Sequence, residues 1–105
     1  MREEKVLAYL KAACTGKRRI IKSTDLEHVL NISSTDLRKH VNSLRRKGIP
    51  IASSREGYFY AATAGEIYAT ICQLQIMERG LQAAIRGLES ALDNFSADNT
   101  GGGDP

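Results

Sequence analysis

The sequence predicts a mainly α fold with one small β-hairpin and a long final helix. Three observations predict it. Residues 23–60 read as two helices joined by a tight turn and followed by a short hairpin. Apolar residues from Ile67 to Leu92 recur at a spacing of 4-3-4-3-4-3-4, with Glu78 as the one charged member. Positive charge collects in and beside the first stretch: residues 17–55 hold ten Lys/Arg against Asp25, Glu27 and Asp36, a net of +7. The whole chain is +3, so the remainder sums to −4. Charge sorted in this way is the footprint expected of a nucleic-acid face.

The elements follow in order. Val6, Leu7, Leu10 and Ala13-Cys14 keep helical spacing, which predicts a first helix over 2–14 that Gly16 ends. Ile20-Ile21 is a short β-prone pair. Thr24 with Glu27 fits a capping box and predicts a second helix from about Asp25, with Leu26, Val29 and Leu30 inward. Asn31 tolerates the left-handed conformation that a sharp turn needs, and Ser33 is a good N-cap with Asp36 in the first turn. The third helix, 34–47, turns Leu37, Val41 and Leu44 inward, and Gly48 stops it. Residues 49–53 read as an edge strand because Pro50 cannot donate to a ladder, Ser54-Arg55-Glu56-Gly57 as a turn, and Tyr58-Phe59-Tyr60 as the returning strand. Thr63 and Glu66 form a further capping box that opens the long helix.

Composition narrows the function. A chain of 105 residues with 42% apolar residues and no Trp supports one modest aliphatic core plus extensions. No apolar run approaches the roughly 20 residues of a membrane span, and the charged start Arg2-Glu3-Glu4-Lys5 is not a signal-peptide core, so a cytoplasmic, DNA-associated protein is expected. Cys14 and Cys72 form no CxxC and read as two buried, reduced thiols. His28 and His40 lack ligand-spaced partners and read as surface or packing residues. No nucleophile triad, phosphate-cradling glycine loop or paired-carboxylate pattern stands out, so no enzyme activity, metal or cofactor is expected.

The order helix, short strand, helix, turn, helix, hairpin, helix resembles the winged helix-turn-helix family over residues 2–62. The run Ser33-Ser34-Thr35-Asp36-Leu37-Arg38-Lys39-His40-Val41-Asn42-Ser43-Leu44-Arg45-Arg46-Lys47-Gly48 carries the likeness and is similar to biotin-repressor-like winged helices. Small winged-helix proteins of phages and conjugative plasmids, and replication-terminator and PadR-type architectures with a C-terminal dimerisation helix, are similar too. The resemblance implies that the third helix enters the major groove and reads bases with its exposed early face. That face here comprises Thr35, Arg38, Lys39, Asn42 and Ser43, and Ser34 is also expected among the DNA-binding residues. Arg38 suits guanine and Asn42 suits adenine, each by a two-pronged pairing. Lys17, Arg18, Arg19 and Lys22 before the second helix, and Arg45, Arg46 and Lys47 at the end of the third, suit phosphates. Arg55, near the wing tip, reaches a minor groove or a phosphate. A second docking mode, in which the wing carries the sequence reading, stays open.

The seam of the long helix asks for a partner. Ile67 to Met77 can pack on the first helix, but Leu81 to Leu92 would leave an apolar stripe in water. Burying four Leu/Ile there contributes roughly 6–12 kcal/mol before ordering costs. Leu74, Glu78, Leu81, Ile85, Leu88 and Leu92 are therefore expected to pair two copies. Glu78 either snorkels at the seam's edge, the reading preferred here, or pairs with Arg79 or Arg86 of the partner. Gly80, Ala84, Gly87 and Ala91 form a small-residue strip beside the seam, where each helical glycine costs about 1 kcal/mol of propensity. The expected organisation is a DNA-binding domain over 1–62, a dimerisation helix over 63–93 and a disordered tail over 94–105. The expected function is sequence-specific binding of double-stranded DNA by a homodimer, on half-sites about 34–36 Å apart. Its role is that of a transcriptional regulator or of an origin-binding accessory protein of a plasmid or phage, alongside other nucleoprotein components. The alternative is a winged-helix protein-interaction module that binds no DNA.

Overall fold

The structure is a computed structural model that describes residues 2–102, with side chains described for residues 2–95. The order is α1 (Arg2–Ala13), a 3₁₀ turn (Lys17–Arg19), α2 (Ser23–Leu30), α3 (Ser34–Arg46), β1 (Ile51–Ser54), β2 (Gly57–Tyr60) and α4 (Ala64–Gly102). This is the mainly α arrangement with an antiparallel hairpin and a long final helix that the sequence predicts. The chain divides into two units, residues 1–72 and 73–105, so α4 contributes its start to the first and the rest to the second.

In the first unit, α1, α2, α3 and the hairpin enclose a main core, and Ala52, Phe59 and Ala61 with Ile20 form a smaller second cluster. Val6, Leu10, Leu26, Leu37 and Val41 are the main core's most buried large side chains, joined by Cys14, Leu44 and Ile51. Val6, Leu10, Leu26, Leu37, Val41 and Leu44 come from the apolar stripes of their own helices, so helical periodicity selects them; Cys14 follows α1 directly and Ile51 comes from β1. Two contacts tie α1 to α3 at the surface: Arg2 pairs with Asp36 at 3.2 Å, and Glu3 pairs with Lys47, just past the end of α3.

The turn between α2 and α3 forms as its residues dictate. Asn31 is left-handed at φ 55°, and the Ser33 hydroxyl accepts from the Asp36 N–H at 3.1 Å. The start of α2 differs from expectation. Its N-cap is Lys22, with no side-chain cap bond, so Ser23 and Thr24 already lie inside the first turn and the Thr24/Glu27 box does not form. The helix begins earlier because Lys22 and Ile21 are held by β2: Ile21 and Tyr58 exchange backbone hydrogen bonds at 3.0 and 2.9 Å. Val29, expected inward, is 53% exposed. Only Leu26 is buried and Leu30 partly so, because an eight-residue helix offers one narrow face to α3.

The hairpin pairs Ile51 with Tyr60 through Ser54 with Gly57, leaving Arg55-Glu56 as the turn. Pro50 lies just outside β1 and accepts from the Ala61 N–H through its carbonyl at 3.0 Å. The predicted Ile20-Ile21 strand is reduced to a single bridge at Ile21, and a second bridge joins Thr15 to Tyr60.

The Thr63/Glu66 box forms as predicted. Glu66 N–H donates to Thr63 Oγ1 at 3.2 Å, and Glu66 Oε1 accepts from the N–H groups of Ala62 and Thr63 at 2.7 and 3.3 Å. Its other oxygen accepts from the Lys17 N–H at 3.0 Å, so one carboxylate joins the start of α4 to the 3₁₀ turn. These donors hold the Glu66 carboxyl below its ordinary value. Thr70, the one buried residue of α4 among the described side chains, bonds back to β1: its Oγ1 accepts from the Ser53 N–H at 3.2 Å.

Three expectations about α4 change. Within the first unit, Ile67 and Ile71, expected to pack on α1, stay exposed, and α4 is bonded there through the polar groups of Glu66 and Thr70. Cys72, expected buried, is half-buried, while Cys14 is buried with its thiol pKa raised by desolvation; both are free. The helix runs to Gly102, nine residues past Asp93, so residues 94–102 are helical rather than a disordered tail. Residues 103–105 of that expected tail lie outside the described residues.

Candidate nucleic-acid interface

Three backbone segments position the cations named from sequence. The 3₁₀ turn Lys17–Arg19 is held against β2 by the Gly16 N–H, which donates to the Tyr60 carbonyl at 2.8 Å, and all three of its basic side chains are exposed. Lys22 sits against the hairpin: a Cβ on Gly57 would lie 2.8 Å from Lys22 Cα. Arg55 occupies the turn itself and is exposed. The structure therefore gathers the turn after α1, the entry to α2 and the hairpin tip, which are 38 residues apart in sequence from Lys17 to Arg55.

On α3 the solvent face carries Ser34, Thr35, Arg38, Lys39, Asn42 and Arg46, all exposed as their spacing requires. Arg38 also borders an open cavity of about 260 Å³ lined by Ser23, Glu27, Ser34, Leu37 and Tyr58. Ser23 and Ser34 are the first residues of α2 and α3, so both helices turn their N-terminal N–H groups toward this end of the unit, that of Asp36 already capped by Ser33. Such groups and the helix dipoles favour an anion, with Glu27 as the opposing charge in the lining. Ser23, Glu27 and Tyr58 were not among the contact residues expected from sequence; only the packing of the hairpin against the entry to α2 brings them here.

Three expected contact residues are taken up elsewhere. Arg45 lies four positions after Val41 and falls on the edge of the buried stripe. Its Nε donates to the Ile51 carbonyl at 2.9 Å and its Nη2 to Ser53 Oγ at 3.0 Å, so the guanidinium staples α3 to β1. Partial burial lowers its pKa, though the group stays a cation. Ser43 is half-buried and turns to Glu3, where it and Lys47 hold that carboxyl below its ordinary value. His40, Ser43 and Lys47 recur at i, i+3 and i+7, a spacing that marks a third face of α3 given to α1. Lys47 is thereby also withdrawn from the set of phosphate clamps.

The chain matches no known family model, no curated protein and no solved structure.

Among the described residues, Arg18, Lys22, Arg38, Lys39, Arg46 and Arg55 make no ion pair, whereas Arg2, Arg45 and Lys47 are engaged within the fold. No group of three or more His, Cys, Asp or Glu among the described residues is placed to hold a metal ion. No helix among them is long and apolar enough to cross a membrane.

The second unit carries a different surface. Leu81, Ile85, Leu88 and Leu92 are between 55% and 72% exposed on one stripe. Phe95, 67% exposed and three residues after Leu92, continues the 4-3 series that the sequence reading ended at Leu92. The repeat itself was the available signal. Glu78 lies on the same stripe.

Proposed function

We propose that this protein binds double-stranded DNA sequence-specifically as a homodimer, placing the solvent face of α3 against base edges and the surrounding cations against phosphates. The observation that carries the reading is the sorting of cations in the first unit: those on the α3 face, the 3₁₀ turn and the hairpin tip are exposed, and those that stitch the fold together lie elsewhere. A rigid helix whose inward stripe is Leu37, Val41 and Leu44 presents Arg38, Lys39, Asn42 and Arg46 as a fixed row, which is what base reading needs. In this reading Arg38 and Asn42 select bases. Lys17, Arg18, Arg19, Lys22, Lys39, Arg46 and Arg55 set position through phosphates, and α4 pairs the copies. The protein works where cytoplasmic DNA is found, as a transcriptional regulator or as an accessory protein at an origin of a plasmid or phage.

The test is fluorescence anisotropy with a random-sequence duplex across a salt series, followed by selection of bound fragments from a random pool. Neutralising about five phosphates per copy gives a log–log slope of roughly −4 to −5 per copy. Binding that is absent, or unchanged between low and high salt, removes the reading. The charge reversals Arg38→Glu and Lys39→Glu are expected to abolish duplex binding without unfolding the protein. Retained binding in both would move the interface away from α3.

A further inference from the structure

We infer that the exposed stripe of α4 is covered by α4 of a second copy of this chain running antiparallel to it, centred near Ala83. The inference rests on the dimeric duplex-binding reading for its role, but its argument comes from the helix alone. Six large apolar side chains, Leu74, Leu81, Ile85, Leu88, Leu92 and Phe95, lie exposed along the stripe. Pairing two such stripes removes roughly 600 Å² from each copy, at the low end of what stable interfaces bury.

Orientation follows from the polar and small residues around the seam. In a parallel, in-register pair Glu78 meets Glu78 of the second copy, two carboxylates facing each other inside an apolar seam. Met77 and Ala84 then face Gln82 and Glu89, so no opposite charges meet at the seam's borders. An antiparallel pair separates the two carboxylates; it brings no opposite charges together at the borders either, so Glu78 and the small-residue border decide the orientation. Leu81 lies opposite Ile85 of the second copy, Leu74 opposite Leu92, Ile71 opposite Phe95, and Glu78 opposite Leu88. The two Glu78 are then ten residues, about 15 Å, apart along the axis. One border brings Met77, Ala84 and Ala91 against the same residues of the second copy, and the other brings Gln75, Gln82 and Glu89 together. The first border is built for close approach. Gly80 and Gly87 lie beside it, and a Cβ on either would meet nothing within 4 Å in the single chain, so no contact within the chain accounts for glycine there.

The orientation also bears on DNA. Antiparallel pairing centred on residue 83 separates the two Gln73 residues, where α4 enters the second unit, by twenty residues of helix, about 30 Å. A parallel pair would hold them about 10 Å apart. Half-sites one duplex turn apart lie roughly 34–36 Å from each other.

The test uses the full chain without DNA. Nitroxide labels are placed singly at Ala83→Cys and Asp93→Cys in a Cys72→Ser background, and pulsed dipolar spectroscopy measures the distance between copies. The expected result is a short distance, about 20 Å, at position 83 and about 30 Å or more at position 93. Short distances at both positions mean a parallel pair and overturn the inference. A monomer in sedimentation at about 100 µM also overturns it and leaves the stripe to another protein. Leu88→Arg is expected to give a helical monomer by circular dichroism and sedimentation; a dimer that persists would place the interface elsewhere. Because pairing is read without DNA, its failure is separable from a failure of duplex binding in the salt series.

Discussion

Gly57 sits where three segments meet, and its lack of a side chain lets them meet. Its φ is +150°, and a Cβ there would fall far inside van der Waals contact with the Ile21 carbonyl oxygen, a backbone atom that cannot swing aside. Gly57→Ala is therefore expected to cost about 2 kcal/mol or more in urea denaturation, by parting Ile21 from Tyr58. Gly48→Ala, at φ +84° with open space around it, is expected to cost only about 1 kcal/mol. Equal losses would mean that the hairpin does not press on the entry to α2. The arginines divide in the same way. Arg45→Ala removes two hydrogen bonds between α3 and β1 and is expected to cost roughly 1–3 kcal/mol. Arg38→Ala, at an exposed position, is expected to stay within about 0.5 kcal/mol of wild type in the same measurement while weakening duplex binding. A reversed ranking would exchange their structural and binding roles.

At the scale of elements, the start of α4 is set by one residue in four hydrogen bonds, three of them to its carboxylate. Glu66 accepts from Ala62, Thr63 and Lys17 while its own N–H is capped by Thr63. Its pKa in the folded protein lies below the ordinary 4.5, so the carboxylate stabilises the fold above that value. This contribution is lost as pH falls below 4.5 through the folded pKa. Wild type is expected to melt above Glu66→Gln at neutral pH, with the gap closing as pH falls below 4.5, measured by thermal melts across a pH series. A gap independent of pH would show that hydrogen-bonding shape, and not charge, does the capping. Thr63→Ala is expected to cost about 1 kcal/mol at every pH, because a hydroxyl cap does not titrate. The capping box at α4 was legible because its partners are three residues apart. The Thr24/Glu27 pair has the same spacing and failed, because the bridge from Ile21 to Tyr58 fixes where α2 begins. Local signals decide an element's boundary only where no distant strand has already placed the backbone.

For the molecule as a whole, the sequence carried the charge segregation, the helix count, the tight turn at Asn31 and the repeat along α4. Each of these depends on residues close together in the chain. Helical and strand periodicity follow from backbone geometry, and capping and left-handed turns from side chains acting on their own neighbours. The fate of individual cations was not legible in this way. Arg45 and Arg46 are adjacent and chemically identical; one staples α3 to β1 and the other faces water. Their difference is set by the position of β1, five residues and a reversal further on. The cavity that joins Ser23, Ser34, Arg38 and Tyr58 likewise exists only once the hairpin has folded back onto the entry to α2. The sequence by itself determined which elements form and which surface is basic, because those properties are local or additive. Tertiary structure alone decided which of the basic side chains remain available to a ligand, because availability depends on what distant segments have already claimed.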